Sequence, residues 1–150
     1  MAVIEHIRIA QAEEGQTPLI LSFVRKLAEY ERLSSKVSAD EEQLRKSLFG
    51  PHPAAEVAIA WLGEEPAGFA VYFHNFSTFA GCAGIYLEDL FDEPQFRGKG
   101  VGKSLLAYLA KLADERGCAR IDWAVLDWNE PAKAFYRKLG AEQMEDWTIY

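Results

Sequence analysis

The sequence predicts an α/β or α+β domain, a mixed sheet with helices on both faces. Three observations carry this. Short apolar runs, some alternating with polar residues, read as strands. Other stretches repeat apolar residues at three- and four-residue spacing and read as helices. The two kinds interleave in the order β-α-α-β-β-β-α-β-α-β. The 150 residues suit a single domain, and no linker, repeat or low-complexity stretch divides them.

Residues 3–10 read as the first strand, with Ile7 and Ile9 alternating against His6 and Arg8. Thr17-Pro18 reads as an N-cap followed by proline at the first helical position. Ile20, Phe23, Val24 and Leu27 then share one helix face, ending near Tyr30-Glu31. Ser38-Ala39-Asp40-Glu41 has the pattern of a capping box for a second helix, which Gly50-Pro51 stops. Residues 57–62 and 67–76 read as strands of a hairpin turning at Gly63-Glu64-Glu65-Pro66. Residues 84–91 form a fourth apolar run. Residues 101–116 give the clearest helix, with Val101, Leu105, Tyr108, Leu109 and Leu112 on one face and Gly117 at its end. Residues 121–126 read as a fifth strand. Asn129 can cap a helix through Lys138, with Gly140 just beyond. Trp147 begins a last strand that runs to Tyr150.

Composition excludes several classes. At 49% apolar and 26% charged residues, the chain is a folded soluble globule rather than a disordered one. Its 16 basic and 23 acidic residues give a net charge of −7. That disfavours nucleic-acid and anionic-membrane partners and suits a cationic substrate. Cys82 and Cys118 have no disulfide-framework or C-x-x-C spacing, and read as reduced thiols of a cytoplasmic protein. The N-terminus lacks the regions of a signal peptide, and no apolar run approaches the ~20 residues of a membrane span. His6, His52 and His74 lack ligand spacing, so no metal is expected. There is no G-x-S-x-G, and neither cysteine has a histidine neighbour, so hydrolase chemistry has no support.

The chemistry concentrates after the fourth strand. Arg97-Gly98-Lys99-Gly100-Val101-Gly102-Lys103 opens the best helix. Glycines at alternate positions allow close backbone approach, and the helix N-terminus attracts anions. Arg97, Lys99 and Lys103 add positive charge, so a pyrophosphate is the natural guest. A Walker loop would need one more residue before Gly102-Lys103-Ser104. The dinucleotide pattern G-x-G-x-x-G is not met, and it belongs after a first strand. The pattern Gln/Arg-x-x-Gly-x-Gly/Ala is met by Arg97, Gly100 and Gly102. A glycine-rich turn without ligand is the remaining alternative.

With that loop in place, the chain resembles the GNAT superfamily of N-acetyltransferases over nearly its whole length. It is most similar to the diamine branch, which holds the spermidine/spermine and thialysine acetyltransferases. Four segments carry the resemblance: Leu27-Ala28-Glu29-Tyr30-Glu31, Tyr86-Leu87-Glu88-Asp89-Leu90-Phe91, the glycine loop, and Ala124-Val125-Leu126-Asp127-Trp128-Asn129-Glu130-Pro131 running into Phe135-Tyr136. The last looks more like the thialysine side of the branch. The resemblance implies a mostly antiparallel mixed sheet, and direct acetyl transfer from acetyl-CoA to a primary amine without a metal. It matches Tyr136 to the general acid and Glu88 to the residue that helps deprotonate the amine through water. It matches Tyr30, Glu31, Glu88 and Asp89 to the amine site. The backbone of Leu90, Phe91 and Asp92, the loop from Arg97 through Gly98, Lys99, Gly100, Val101 and Gly102 to Lys103, and Asn129 and Tyr136 match the CoA contacts. It also implies a homodimer. The chain departs from the family at Asp92, where an apolar residue such as Val is usual, and at Ala132, often Ser. Phe79 stands in for an aromatic of the loop before the fourth strand.

The residues themselves leave choices open. A primary amine with a pKa near about 10 must lose a proton before it attacks, and a carboxylate can bind the cation and take the proton. Adjacent strand residues face opposite sides, so Glu88 and Asp89 reach one site together only across a bulge. Otherwise one is exposed and one is held by a helix-end amide. Tyr136 can protonate a departing thiolate, or it can be a core tyrosine bonded to backbone. The fourth and fifth strands are the candidates for a splayed pair whose N–H groups polarise a carbonyl. Trp61, Trp123 and Trp128 read as core residues, and Trp147 as a candidate for substrate contact. Two other readings share the fold: a non-catalytic acyl-CoA sensor, and an acetyltransferase for a peptide N-terminus or an aminoglycoside.

Overall fold

The computed structural model of the chain describes residues 6–150. Its sheet has the order β1-β2-β3-β4-β5. The strands are β1 Ile7–Gln11, β2 Glu56–Leu62, β3 Glu65–Ser77, β4 Cys82–Asp92 and β5 Ile121–Trp123. The α-helices among the described residues are α1 Thr17–Tyr30, α2 Glu41–Phe49, α3 Val101–Glu115 and α4 Glu130–Lys138. Strands β1 to β4 pair antiparallel in sequence order, and β5 joins β4 in parallel after the α3 crossover. The sheet is therefore mixed and mostly antiparallel.

Period-two patterning sorts the core into two layers. Val57, Ile59, Phe69 and Phe91 meet Ile20, Phe23 and Leu27 of α1 on one face. Ala58, Ala60, Ala70, Tyr72, Ile85 and Leu87 meet Val101, Leu105 and Leu109 of α3 on the other. Phe23 stacks on Phe69 with ring centroids 5.1 Å apart. The α3 side of β2 and β3 carries small residues, and this sets how close the helix lies. A Cβ on Gly68 would stand 3.0 Å from Val101 Cγ1. The start of α3 is thus pinned over the β3–β4 pair, beside the end of β4.

Helix ends follow local chemistry. Thr17 lies inside α1, not before it, and its Oγ1 donates to Glu14 O at 2.6 Å. The capping box of α2 is Asp40 with Gln43, two residues beyond the Ser38–Glu41 pattern. Asp40 has extended backbone, its Oδ1 accepts from Gln43 N at 2.8 Å, and Gln43 Oε1 accepts from Asp40 N at 2.9 Å. Asn129 caps α4 as expected, Oδ1 accepting from Ala132 N at 3.3 Å.

Two strand expectations change. Residues 3–5 lie outside the described residues. The strand expected at 147–150 does not form, because no ladder partner is aligned with it and an unpaired strand has nothing to hold it. Strand β5 stops at Trp123 instead of residue 126, which matters for the site.

Candidate active site

The site begins with one extra residue in β4. The register pairs Val71 with Asp89 but Tyr72 with Leu87, so Glu88 is bulged out of the β3–β4 ladder. Side-chain alternation shifts by one. Ile85 and Leu87 pack on the α3 side. Past the bulge it is Leu90 that does so, and Phe91 joins the α1 layer. Glu88, by the alternation before the bulge, and Asp89, by the alternation after it, therefore share the α1 face. The bulge that the sequence left open is present, and both acids reach one site.

The same bulge ends the parallel ladder. β4 and β5 pair at Ile85↔Ile121, Tyr86↔Asp122 and Leu87↔Trp123, and no further. Before the bulge, the Ile85 N–H donates to Arg120 O at 2.9 Å on the β5 side. After it, the Glu93 N–H donates to Ala67 O at 2.8 Å on the β3 side. Alternation then turns the N–H and C=O groups of Leu90 and Asp92 away from β3, toward the side where β5 has ended. Strand β4 thus presents a short open edge beside two carboxylates.

The acids form a cluster. Burial, then the charges of Glu88 and Glu31, push the Asp89 carboxyl up to about 6. Burial also raises Glu31, at the end of α1. Glu88 is exposed on the bulge. Like charges held together in a half-buried place favour a cationic guest and a proton acceptor near the working pH. Tyr136 faces this cluster from α4. Its ring meets Trp123 edge-on at 5.1 Å. Burial first, then Glu31, Asp92 and Tyr30, raise its phenol, so the hydroxyl keeps its proton at neutral pH.

Tyr30 ties the acidic side to the glycine loop. Its hydroxyl donates to Asn129 Oδ1 at 3.2 Å. The Arg97 guanidinium lies 4.9 Å from the Tyr30 ring centroid, and Arg97 Nε stands 3.8 Å from Asp92 Oδ1. Trp128 sits between Tyr30, with centroids 6.2 Å apart, and the Arg32 guanidinium at 4.8 Å. Arg32, two residues past α1, has φ 62, a left-handed conformation that costs a non-glycine residue about 1–2 kcal/mol. Its cation–π contact with Trp128 offsets part of that.

At the loop, Gly98 and Gly100 have φ of 80 and 88, and a Cβ on either would meet nothing within 4 Å. Glycine is needed there for the backbone, and the space above it stays open. Gly100 is the N-cap of α3 without a side-chain cap, so the first N–H groups of the helix are not claimed by a capping side chain. Arg97, Lys99 and Lys103 are exposed around that end. Phe135 of α4 closes on the helix start, where a Cβ on Gly102 would lie 3.5 Å from its Cζ. An anion-binding helix end next to an open strand edge with free amide groups fits a ligand with a pyrophosphate and an amide-bearing arm.

Of the residues the sequence singled out, the structure gathers Tyr30, Glu31, Glu88, Asp89, Asp92, Arg97, Asn129 and Tyr136. Phe91 and Val101 are buried in the core, so only their backbone can serve a ligand. Trp147 is not part of the packed cluster. It is 74% exposed on a segment without helix or strand. Arg32 and Trp128 as a rim pair, and Trp123 as the ring behind Tyr136, were missed. The Asp127-Trp128-Asn129 turn before α4 was the available signal for Trp128, but nothing local in sequence joins it to Arg32.

Residues 21–141 match the model of the acetyltransferase (GNAT) family. The thialysine N-epsilon-acetyltransferase of Bos taurus is 36% identical over 155 aligned residues, covering 96% of this chain and 91% of that protein. The L-ornithine N5-acetyltransferase of Arabidopsis thaliana is 28% identical, covering 95% and 82%. An integron cassette protein from the V. cholerae mobile metagenome superposes with a TM-score of 0.80 at 28% identity, covering 96% of this chain and 90% of that one.

The acid cluster sets a pH dependence. An unfolded aspartate titrates near about 3.9, whereas folded Asp89 titrates at about 6. Between those values the folded state holds more proton, so stability from Asp89 falls as pH rises through the window and stays lost above it. Asp89→Asn removes this slope. Melting temperature against pH should be flatter for the variant, with its relative gain above pH 6. Parallel curves would contradict the buried cluster.

Proposed function

Because the chain belongs to the acetyltransferase (GNAT) family, we propose that it transfers the acetyl group of acetyl-CoA to the terminal primary amine of a small cationic acceptor of the thialysine, ornithine or diamine type. The observation that carries this is the meeting of Glu31, Glu88 and Asp89 with the open edge of β4. Relatives that act on thialysine and on ornithine support the acceptor class.

Acetyl-CoA supplies an activated acetyl thioester. The loop from Arg97 to Gly102, with the α3 N-terminus, holds its pyrophosphate, and Leu90 and Asp92 offer backbone N–H and C=O groups to its arm. Transfer makes a C–N bond and breaks a C–S bond. One proton must leave the ammonium, and one must reach the departing sulfur. Glu88 and Asp89 bind the ammonium and draw off the first, directly or through water. Tyr136, held protonated, supplies the second. The acidic lining is also the reason for a cationic acceptor.

No helix among the described residues is long and apolar enough to cross a membrane. The free thiols of Cys82 and Cys118 support a cytoplasmic setting. A homodimer is supported by the exposed Met144, Trp147, Ile149 and Tyr150, and by a β5 edge that has no partner among the described residues. Light scattering at high micromolar concentration should give twice the chain mass, and a monomer would contradict it.

The activity test is thiol release from acetyl-CoA with thialysine, ornithine, lysine, putrescine, spermidine, a peptide and an aminoglycoside. Release should require one of the small amines. Release with the peptide or aminoglycoside alone would overturn the reading. Tyr136→Phe keeps the ring and should retain the melting temperature while turnover falls about 10²–10⁴-fold. A lowered melting temperature with near-normal turnover would make Tyr136 a packing residue.

A further inference from the structure

The carboxylate of Asp92 stands beside two groups that the cofactor reading assigns to the ligand, the Arg97 guanidinium and its own backbone N–H. Asp92 closes β4, where its backbone turns toward the open edge. Its own backbone N–H helps keep the carboxyl ionised. The carboxylate also lies 3.8 Å from Arg97 Nε, at the mouth of the glycine loop. Arg97 is held on its other side by the Tyr30 ring. An aspartate here is a built-in anion placed between strand edge and loop.

Arg97 faces Asp92 from the turn after β4. Tyr136 faces it from α4 and feels its charge. From β3 and α3 come Gly68 and Val101, both without charge. The neighbouring Glu93 is buried and committed to Lys26 of α1. Burial already raises the Asp92 carboxyl, and Arg97 and its own N–H hold it down. Each group that keeps Asp92 ionised is one the incoming ligand competes for.

We propose that Asp92 is a positioning residue that holds Arg97 in the ligand-free enzyme and surrenders it to the cofactor, taking up a proton as it does so. This rests on the reading that CoA binds along β4 and the glycine loop. When the pyrophosphate takes Arg97 and the arm takes the Asp92 N–H, the carboxylate loses its partners in a more desolvated place. The neutral acid is then favoured. Cofactor affinity therefore falls as pH rises through the carboxyl's titration, by up to about tenfold for each unit by which binding raises its pKa.

The test uses 3′-dephospho-CoA, which lacks the phosphate monoester that itself titrates near about 6. Calorimetry in two buffers of different ionisation enthalpy reads the protons taken up on binding. Wild type should take up a fraction of a proton across the carboxyl's titration range, and its affinity should weaken as pH rises through that range. Asp92→Asn should abolish the uptake, flatten the pH profile and bind more tightly at the alkaline end. Asp89→Asn, which removes the other raised aspartate, should keep the uptake. Binding without proton uptake, or uptake lost in Asp89→Asn but kept in Asp92→Asn, overturns the proposal and leaves the cofactor reading intact. Failure of dephospho-CoA and of CoA to bind wild type at any pH overturns the cofactor reading itself. The wild-type measurement stands even if a variant does not fold.

Discussion

The site depends on one inserted residue. Glu88 has no partner in the β3–β4 register, and removing that irregularity in thought removes the site. Without it, regular alternation would send Glu88 and Asp89 to opposite faces. The parallel pairing of β4 with β5 would have no local reason to stop at Leu87↔Trp123. The bulge costs ladder hydrogen bonds where it occurs. In return two carboxylates reach the α1 face, and the last residues of β4 expose their backbone groups on one side.

What lies around the bulge is arranged by packing. The small residues of β2 and β3 let α3 settle close over the sheet, and the Gly68–Val101 approach fixes its N-terminus beside the end of β4. The glycine loop that precedes α3 therefore arrives at the open edge. Helix α1 brings Tyr30 and Glu31 from the other layer. Helix α4, capped by Asn129, brings Tyr136 against Trp123. Tyr30 links the three regions through Arg97 and Asn129. Charge follows the same logic: carboxyls crowded under partial burial rise toward neutrality, while the helix end next to them offers N–H donors and basic side chains.

Much of this was legible in the sequence because it is local. Strand and helix periodicity placed every element of the sheet from β2 to β5 and the caps of α2 and α4 to within a few residues. The glycine loop announced itself by its spacing, and Glu88-Asp89 by two charges inside an apolar run. What the sequence could not supply was register. Whether Glu88 is bulged depends on how β3 aligns with β4, and no property of residues 84–91 alone decides it. The same holds for the Arg97–Asp92 pair and the Arg32–Trp128 stack, which join segments through the fold. The strand expected at 147–150 failed for the complementary reason. Apolar residues favour a strand, but a strand exists only where an edge accepts it, and none is aligned there among the described residues.

The central claim is that β4 beyond Glu88 is an open edge reserved for the cofactor. Residue-resolved amide hydrogen exchange, with and without CoA, tests it most directly. In the free protein the Ile85 amide, bonded to Arg120 O at 2.9 Å, should be protected, and the Leu90 amide should exchange much faster. Added CoA should protect Leu90 and the amides from Gly98 to Gly102 while leaving Ile85 unchanged. A Leu90 amide as protected as Ile85 before CoA is added, or protection by CoA that spares both Leu90 and the loop, would contradict the account.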